Sequence, residues 1–128
     1  PASLRLRMPI TLMALDSLAL EARQAGAPLV VLFIPSRWQC ETKDAGARGP
    51  YLDPKPHAAM VERTIAHLDS VGVPVLYPLE ALRAESRVRR AYFDEGHLNE
   101  AGSRVVARAL VDGLEATRLG PGAPTPAR

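Results

Sequence analysis

Residues 25–31 read "AGAPLVV" and residues 71–77 read "VGVPVLY". In each, a glycine closes a stretch with helical spacing, a proline stands two residues later, and apolar residues follow without interruption. Glycine suits the left-handed position that ends a helix, and proline is tolerated at a strand's first residue, where its missing N–H is not needed by the ladder. An apolar run that does not alternate is the pattern of a strand covered on both faces, as in parallel sheets. The repeated order of helix, glycine, proline and strand therefore predicts an α/β layered fold with parallel strands and right-handed crossovers.

Working outward, Leu12, Leu15, Leu18, Ala19 and Ala22 recur every three or four residues and predict a helix from Ile10 to Ala25. Leu29 to Ile34 is the first strand, stopped by Pro35. The stretch from Ser36 to Pro56 is polar, punctuated by Gly and Pro, and long for a connection, so it reads as a loop. Helix resumes near His57, with Val61, Ile65 and Leu68 as its apolar face, and leads to the strand "VPVLY". A short helix over Leu79 to Ser86 and a final one from Asn99 to Thr117, with Val106, Leu110 and Leu114 along one side, complete residues 1–117. The Gly/Pro-rich residues 118–128 are expected to be a disordered tail. Two doubly apolar strands cannot bury each other, and independent sheets usually have about four to six strands. The sheet is therefore expected to be incomplete, its partners lying in a missing part or in another copy.

Composition narrows the function classes. Sixteen basic and fourteen acidic side chains leave a net charge of +2 over 128 residues, too little to mark a nucleic-acid binder. Cys40 is the only cysteine, so neither an intrachain disulfide nor a thiolate metal cluster can form, and it reads as an inert loop residue. No apolar run approaches the roughly 20 residues of a membrane-spanning helix. The basic start "PASLRLRMP" is unlike a signal peptide, and a first residue of Pro is expected of a processed or excised chain. Compartment and any membrane association stay open.

The chemistry concentrates in "YFDEGHLNEAG", residues 92–102. Asp94 and His97 are three apart in a short loop before a helix. A carboxylate at that spacing can hold an imidazole in one tautomer and stabilise its charged form, as a general base for a hydroxyl requires. Gly96 is expected to let the loop fold back, and Asn99 to cap the helix that mounts the histidine. The other reading is a polar loop whose carboxylate caps backbone amides. Ser36, Arg37 and Trp38 lie just past the first strand's C-terminal end, where open α/β sheets place ligands, and are candidate substrate-binding residues. Ser36 also reads as a turn serine after Pro35, since no glycine-lined sharp turn surrounds it. Arg83, Arg87, Arg89 and Arg90 form a basic patch suited to a carboxylate or phosphate, or simply a wet helix face. His57 and His67 are ten apart, too wide for metal ligands on adjacent helical turns.

The stretch "AYFDEGHLNEAGSRVVARALVDGL", near the chain end and preceded by "VPVLY" and a short helix, resembles the last conserved block of the SGNH or GDSL hydrolase family. "LVVLFIPSRWQ" is similar to a strand and loop found in some members, and the likeness spans residues 10–117, most closely 92–111. The resemblance implies a three-layer, flavodoxin-like parallel sheet with helices on both faces, and a Ser-His-Asp triad to which Asp94 gives the orienting acid and His97 the base. It implies esterase or lipase-like hydrolysis of ester bonds, carbohydrate O-acetyl groups among them, with no metal or organic cofactor.

The family's Gly-Asp-Ser and Gly-x-Asn-Asp blocks are absent from these 128 residues. The resemblance thus implies the C-terminal part of such a domain, inactive by itself and paired with a missing nucleophile-bearing half. An O-acyltransferase shares every residue named. A non-catalytic α/β interaction module, self-associating through a sheet edge, is the reading from another class.

Overall fold

The computed structural model describes residues 2–41, 54–94 and 96–117, with side chains from residue 9 in the first helix and from residue 58 in the third. The elements run α1 (Ala2–Gln24), β1 (Val31–Leu32), α2 (Arg37–Glu41), α3 (Pro54–Ser70), β2 (Val75–Leu76), α4 (Leu79–Val88) and α5 (Glu100–Ala116). The chain is mostly helical, and its two strands pair in parallel. The α/β class thus holds at this coarse level. Val31 N–H donates to Pro74 O at 3.0 Å and Phe33 N–H to Leu76 O at 2.9 Å, one residue of β1 being skipped between them as a parallel ladder requires. Gly26 and Gly72, the paired glycines of the repeat, have φ of 64° and 74°, the left-handed conformation that closes α1 and α3.

Several boundaries differ from the sequence reading. The first strand pairs over Val31–Leu32 only, and Ile34 is exposed rather than covered on both sides. With one neighbour present, the ladder has nothing to continue against. Helix α1 begins at Ala2 and runs through Pro9, ahead of the expected start at Ile10. Its inner face keeps Ala19 buried, with Leu12, Leu15 and Ala22 half-buried, but Leu18 is exposed. The expected loop after Pro35 opens instead with α2, whose start has the side-chain half of a capping box, Gln39 reaching back to the Ser36 N–H. Gln39 N–H donates to Ser36 O at 3.0 Å, and Gln39 Oε1 accepts Ser36 N–H at 2.8 Å. Residues 42–53 of that stretch, and the expected disordered tail over 118–128, lie outside the described residues.

The chain divides into two units, Pro1–Val31 with Lys55–Val75 and Leu32–Pro54 with Leu76–Arg128. In the first, Val61, Leu68 and Val73 are buried and Thr64 turns its hydroxyl back onto Met60 O at 2.8 Å, so that a polar side chain sits inside without an unpaired donor. There His67 Nε2 meets Asp16 Oδ1 at 2.6 Å, tying α3 to α1, and Arg23 donates to Val71 O at 3.2 Å. In the second, Leu82, Ala91, Tyr92, Val106 and Cys40 form the core, flanked by Leu32, Leu79, Leu98 and Val105.

That second core requires α5 to approach the chain before it very closely. A Cβ on Gly102 would lie 2.2 Å from Ala91 O and 2.8 Å from Leu98 Cδ2, whereas one on Gly96 would meet nothing within 4 Å. Gly96 also lacks a left-handed φ, so the expected need for glycine at that turn is corrected: the indispensable glycine is Gly102. Gly102→Ala is expected to destabilise the chain by about 1–3 kcal/mol, because main chain cannot move aside as a side-chain tip can. Gly96→Ala should stay within about 0.5 kcal/mol of the parent. Urea unfolding of the two variants checks the contrast; equal midpoints would refute the close approach.

Candidate functional site

The Asp94–His97 loop is a tight reversal between Ala91 and Asn99. Tyr92 and Leu98 form an isolated antiparallel bridge, Phe93 N–H donates to His97 O at 2.8 Å, and Asn99 N–H donates to Ala91 O at 3.0 Å. Side chains alternate across such a pairing. Tyr92 accordingly turns into the core, with none of its surface exposed, while Phe93 and His97 face outward. Asn99 joins the loop to α5 in two ways, its Oδ1 accepting Gly102 N–H at 3.1 Å and its Nδ2 donating to Arg90 O. The expected cap is therefore present, and the same residue closes the base of the loop.

Inside the reversal, Asp94 Oδ1 accepts the N–H groups of Gly96 and His97, each at 2.9 Å, the short-range pattern by which an aspartate closes a turn on its own backbone. The carboxylate also receives the imidazole: His97 Nδ1 lies 2.9 Å from Oδ1 and 2.8 Å from Oδ2. With Nδ1–H donating to the carboxylate, Nε2 carries the ring's lone pair. No described group bonds Nε2, and the His97 side chain is 82% exposed. Both sequence readings of the carboxylate thus coexist, since Asp94 caps backbone amides and orients the histidine at once. The amide of Gly96 first, then the imidazole and the His97 amide, hold the Asp94 carboxyl down at about 2. It is anionic throughout the range in which an imidazole titrates.

Ser36, Arg37 and Trp38 form the cap and first residues of α2. Ser36 Oγ donates to Gln39 Oε1 at 3.1 Å, so the hydroxyl is engaged in the helix start, and no described hydrogen bond joins it to His97. Arg37 pairs with Glu41 one turn along, and Trp38 is half-buried. Gln39, not singled out in the sequence, links this cap to the residue after β2 by donating Nε2 to the Tyr77 hydroxyl at 3.0 Å. Its Ser-x-x-Gln spacing was the available signal.

The arginine patch is largely spent on structure. Arg83 donates to Gln39 O at 2.9 Å and to Glu80 at 2.7 Å, Arg89 pairs with Glu85, and Arg90 braces the loop by donating to Phe93 O at 2.7 Å. Cys40, expected in a loop, is instead buried on α2 with Sγ 3.3 Å from the Tyr92 hydroxyl, and burial raises its pKa, disfavouring the reactive thiolate.

Comparison with protein-family models, with curated proteins and with solved structures finds no match to this chain. The loop's electrostatics are open to direct measurement. A carboxyl lowered from the ordinary 3.8 to about 2 in the folded loop contributes its stabilisation fully above 3.8 and loses it as pH falls through about 2. Carboxyl ¹³C titration of Asp94 should give a midpoint near 2, with the Gly96 and His97 amide shifts following it. A midpoint at the ordinary value with indifferent amides would show that the carboxylate is not held.

Proposed function

We propose that this chain is the C-terminal part of an SGNH-type ester hydrolase, with Asp94 as orienting acid and His97 as general base. In this reading the two-stranded pair belongs to a three-layer, flavodoxin-like sheet whose remaining strands lie outside these residues. The observation that carries it is the Asp94 carboxylate on His97 Nδ1 at 2.8 Å, which leaves Nε2 directed away from its acid and open to a reacting hydroxyl.

The chemistry assigned to the pair is specific. His97 Nε2 takes the proton of a nucleophilic serine as its oxygen attacks the ester carbonyl, and Asp94 stabilises the resulting imidazolium without itself becoming protonated. The imidazolium then gives its proton to the leaving alcohol oxygen, and the acyl group stays on the serine until water, activated by the same Nε2, releases it. With a sugar hydroxyl in place of that water the same groups carry out acyl transfer. Carbohydrate O-acetyl esters are the substrate class, and the steps assigned to this chain use protein side chains alone. Ser36 is not assigned the nucleophile, because its hydroxyl serves the α2 cap. It stays, with Arg37 and Trp38, on the edge proposed to face substrate.

The nucleophile must then come from outside the 128 residues, which contain no Gly-Asp-Ser block. The purified chain is expected to show no turnover of p-nitrophenyl acetate above background and no serine labelled by a fluorophosphonate probe. Extended N-terminally through about 100 residues of its own reading frame, the protein should take the label at a serine and hydrolyse the ester. His97→Ala should cut that rate roughly 10³-fold or more. Labelling of a serine within the 128 residues, or an extended protein indifferent to His97→Ala, would overturn the assignment.

A further inference from the structure

Beneath the loop that holds the acid and imidazole lies a fully buried aromatic side chain. Tyr92, two residues before Asp94, has no exposed surface, and its hydroxyl donates to Pro35 O at 2.6 Å and lies 3.3 Å from Cys40 Sγ. Pro35 immediately precedes the Ser36 cap, and Cys40 lies four residues beyond that cap in α2. A phenol in this setting has no water to turn to, so its position is fixed by partners that belong to another stretch of chain. Its backbone is fixed as well, through the bridge to Leu98. The ring therefore joins two pieces of chain 57 residues apart, the turn after β1 and the reversal carrying Asp94 and His97.

We propose that Tyr92 is the positioning residue of the Asp94–His97 loop, setting the direction of the imidazole from the Pro35–Cys40 segment that carries Ser36, Arg37 and Trp38. Its catalytic meaning rests on the reading of His97 as a base, but the mechanical coupling does not. A displacement of α2 by anything bound at Arg37 or Trp38 is passed through Pro35 O and Cys40 Sγ to the phenol, and from Tyr92 along two residues of main chain to Asp94. Burial makes the coupling stiff: the core around Leu82, Ala91 and Val106 leaves the ring nowhere to yield. The hydroxyl stays a donor, because burial and the neighbouring thiol both push its pKa far up.

Tyr92→Phe in the 128-residue chain separates anchoring from packing, since it keeps the ring and removes only the hydroxyl. We expect the core methyl spectrum to persist while amide exchange at Phe93, His97 and Asn99 rises roughly five- to tenfold, the effect of losing one net hydrogen bond. The Asp94 midpoint should climb from about 2 toward 3.8, and imidazole ¹⁵N shifts should move from the Nδ1–H tautomer toward a mixture.

Leu82→Ala, truncating an equally buried side chain of the same core, should lower stability without moving either site reading. Unchanged exchange, midpoint and tautomer in Tyr92→Phe would overturn the coupling. Should that variant not fold, the parent chain still decides: the Tyr92 hydroxyl proton should exchange at the rate of the Phe93 and His97 amides, and a fast-exchanging hydroxyl beneath protected amides would overturn it. None of these readings needs ester turnover, so the coupling and the hydrolase assignment fail separately.

Discussion

A phenol sealed inside a small core has to find its hydrogen-bond partner within the protein, and in this chain that requirement organises the unit that carries the candidate site. The Tyr92 hydroxyl is satisfied by Pro35 O, which fixes where the turn after β1 must pass. Cys40 Sγ meets the same Tyr92 hydroxyl, which fixes the face that α2 turns inward. Arg83 then draws α4 onto α2 through Gln39 O, and Gly102 lets α5 close on Ala91. Each of these contacts is short-ranged, yet together they join the Pro35–Cys40 segment to the chain from α4 to α5.

The acid–imidazole pair stands on this base but is itself wet. Two of the three groups that hold the Asp94 carboxylate are backbone amides, so its position follows from the path of the main chain and not from neighbouring side chains. That is an economical way to orient a histidine at the surface, where an isolated side-chain ion pair is weakened by water and by salt. It also explains how one aspartate satisfies both readings of the motif: the turn needs an acceptor for two N–H groups, and a carboxylate's second oxygen remains for the ring.

The parts legible in the sequence were those set by local physics. The echo of "AGAPLVV" in "VGVPVLY" located both left-handed glycines and both strands, because a helix end and a strand entrance each demand particular backbone angles within a few residues. Asn99 as the cap of α5 and the three-residue spacing of Asp94 and His97 were legible for the same reason. What escaped was set by distant chain. Nothing near Tyr92 says that its hydroxyl will reach Pro35 O, and nothing near Gly102 says that Ala91 O will occupy the space of a methyl group. Gly96 was misjudged because a glycine in a loop invites a conformational explanation, whereas the turn there is made by the Asp94 side chain. The extent of β1 was overread because an apolar run states what a strand would bury, not whether a neighbour is there to pair with it.

The same distinction bears on how chemistry is divided between the segment after β1 and the loop before α5. The hydroxyl at the end of β1 is drawn into capping α2, and the imidazole in the 92–102 loop is left with an uncommitted Nε2. A serine whose Oγ donates to an amide oxygen is a poor candidate for attack, because activation requires that its proton face a base. A histidine oriented by a carboxylate and unengaged at Nε2 has the complementary property, a lone pair held in a fixed direction with no acceptor role inside the described residues. The asymmetry is chemical as well as geometric: within one unit, an imidazole is held by a carboxylate through Nδ1, while the Ser36 hydroxyl is committed to the start of α2.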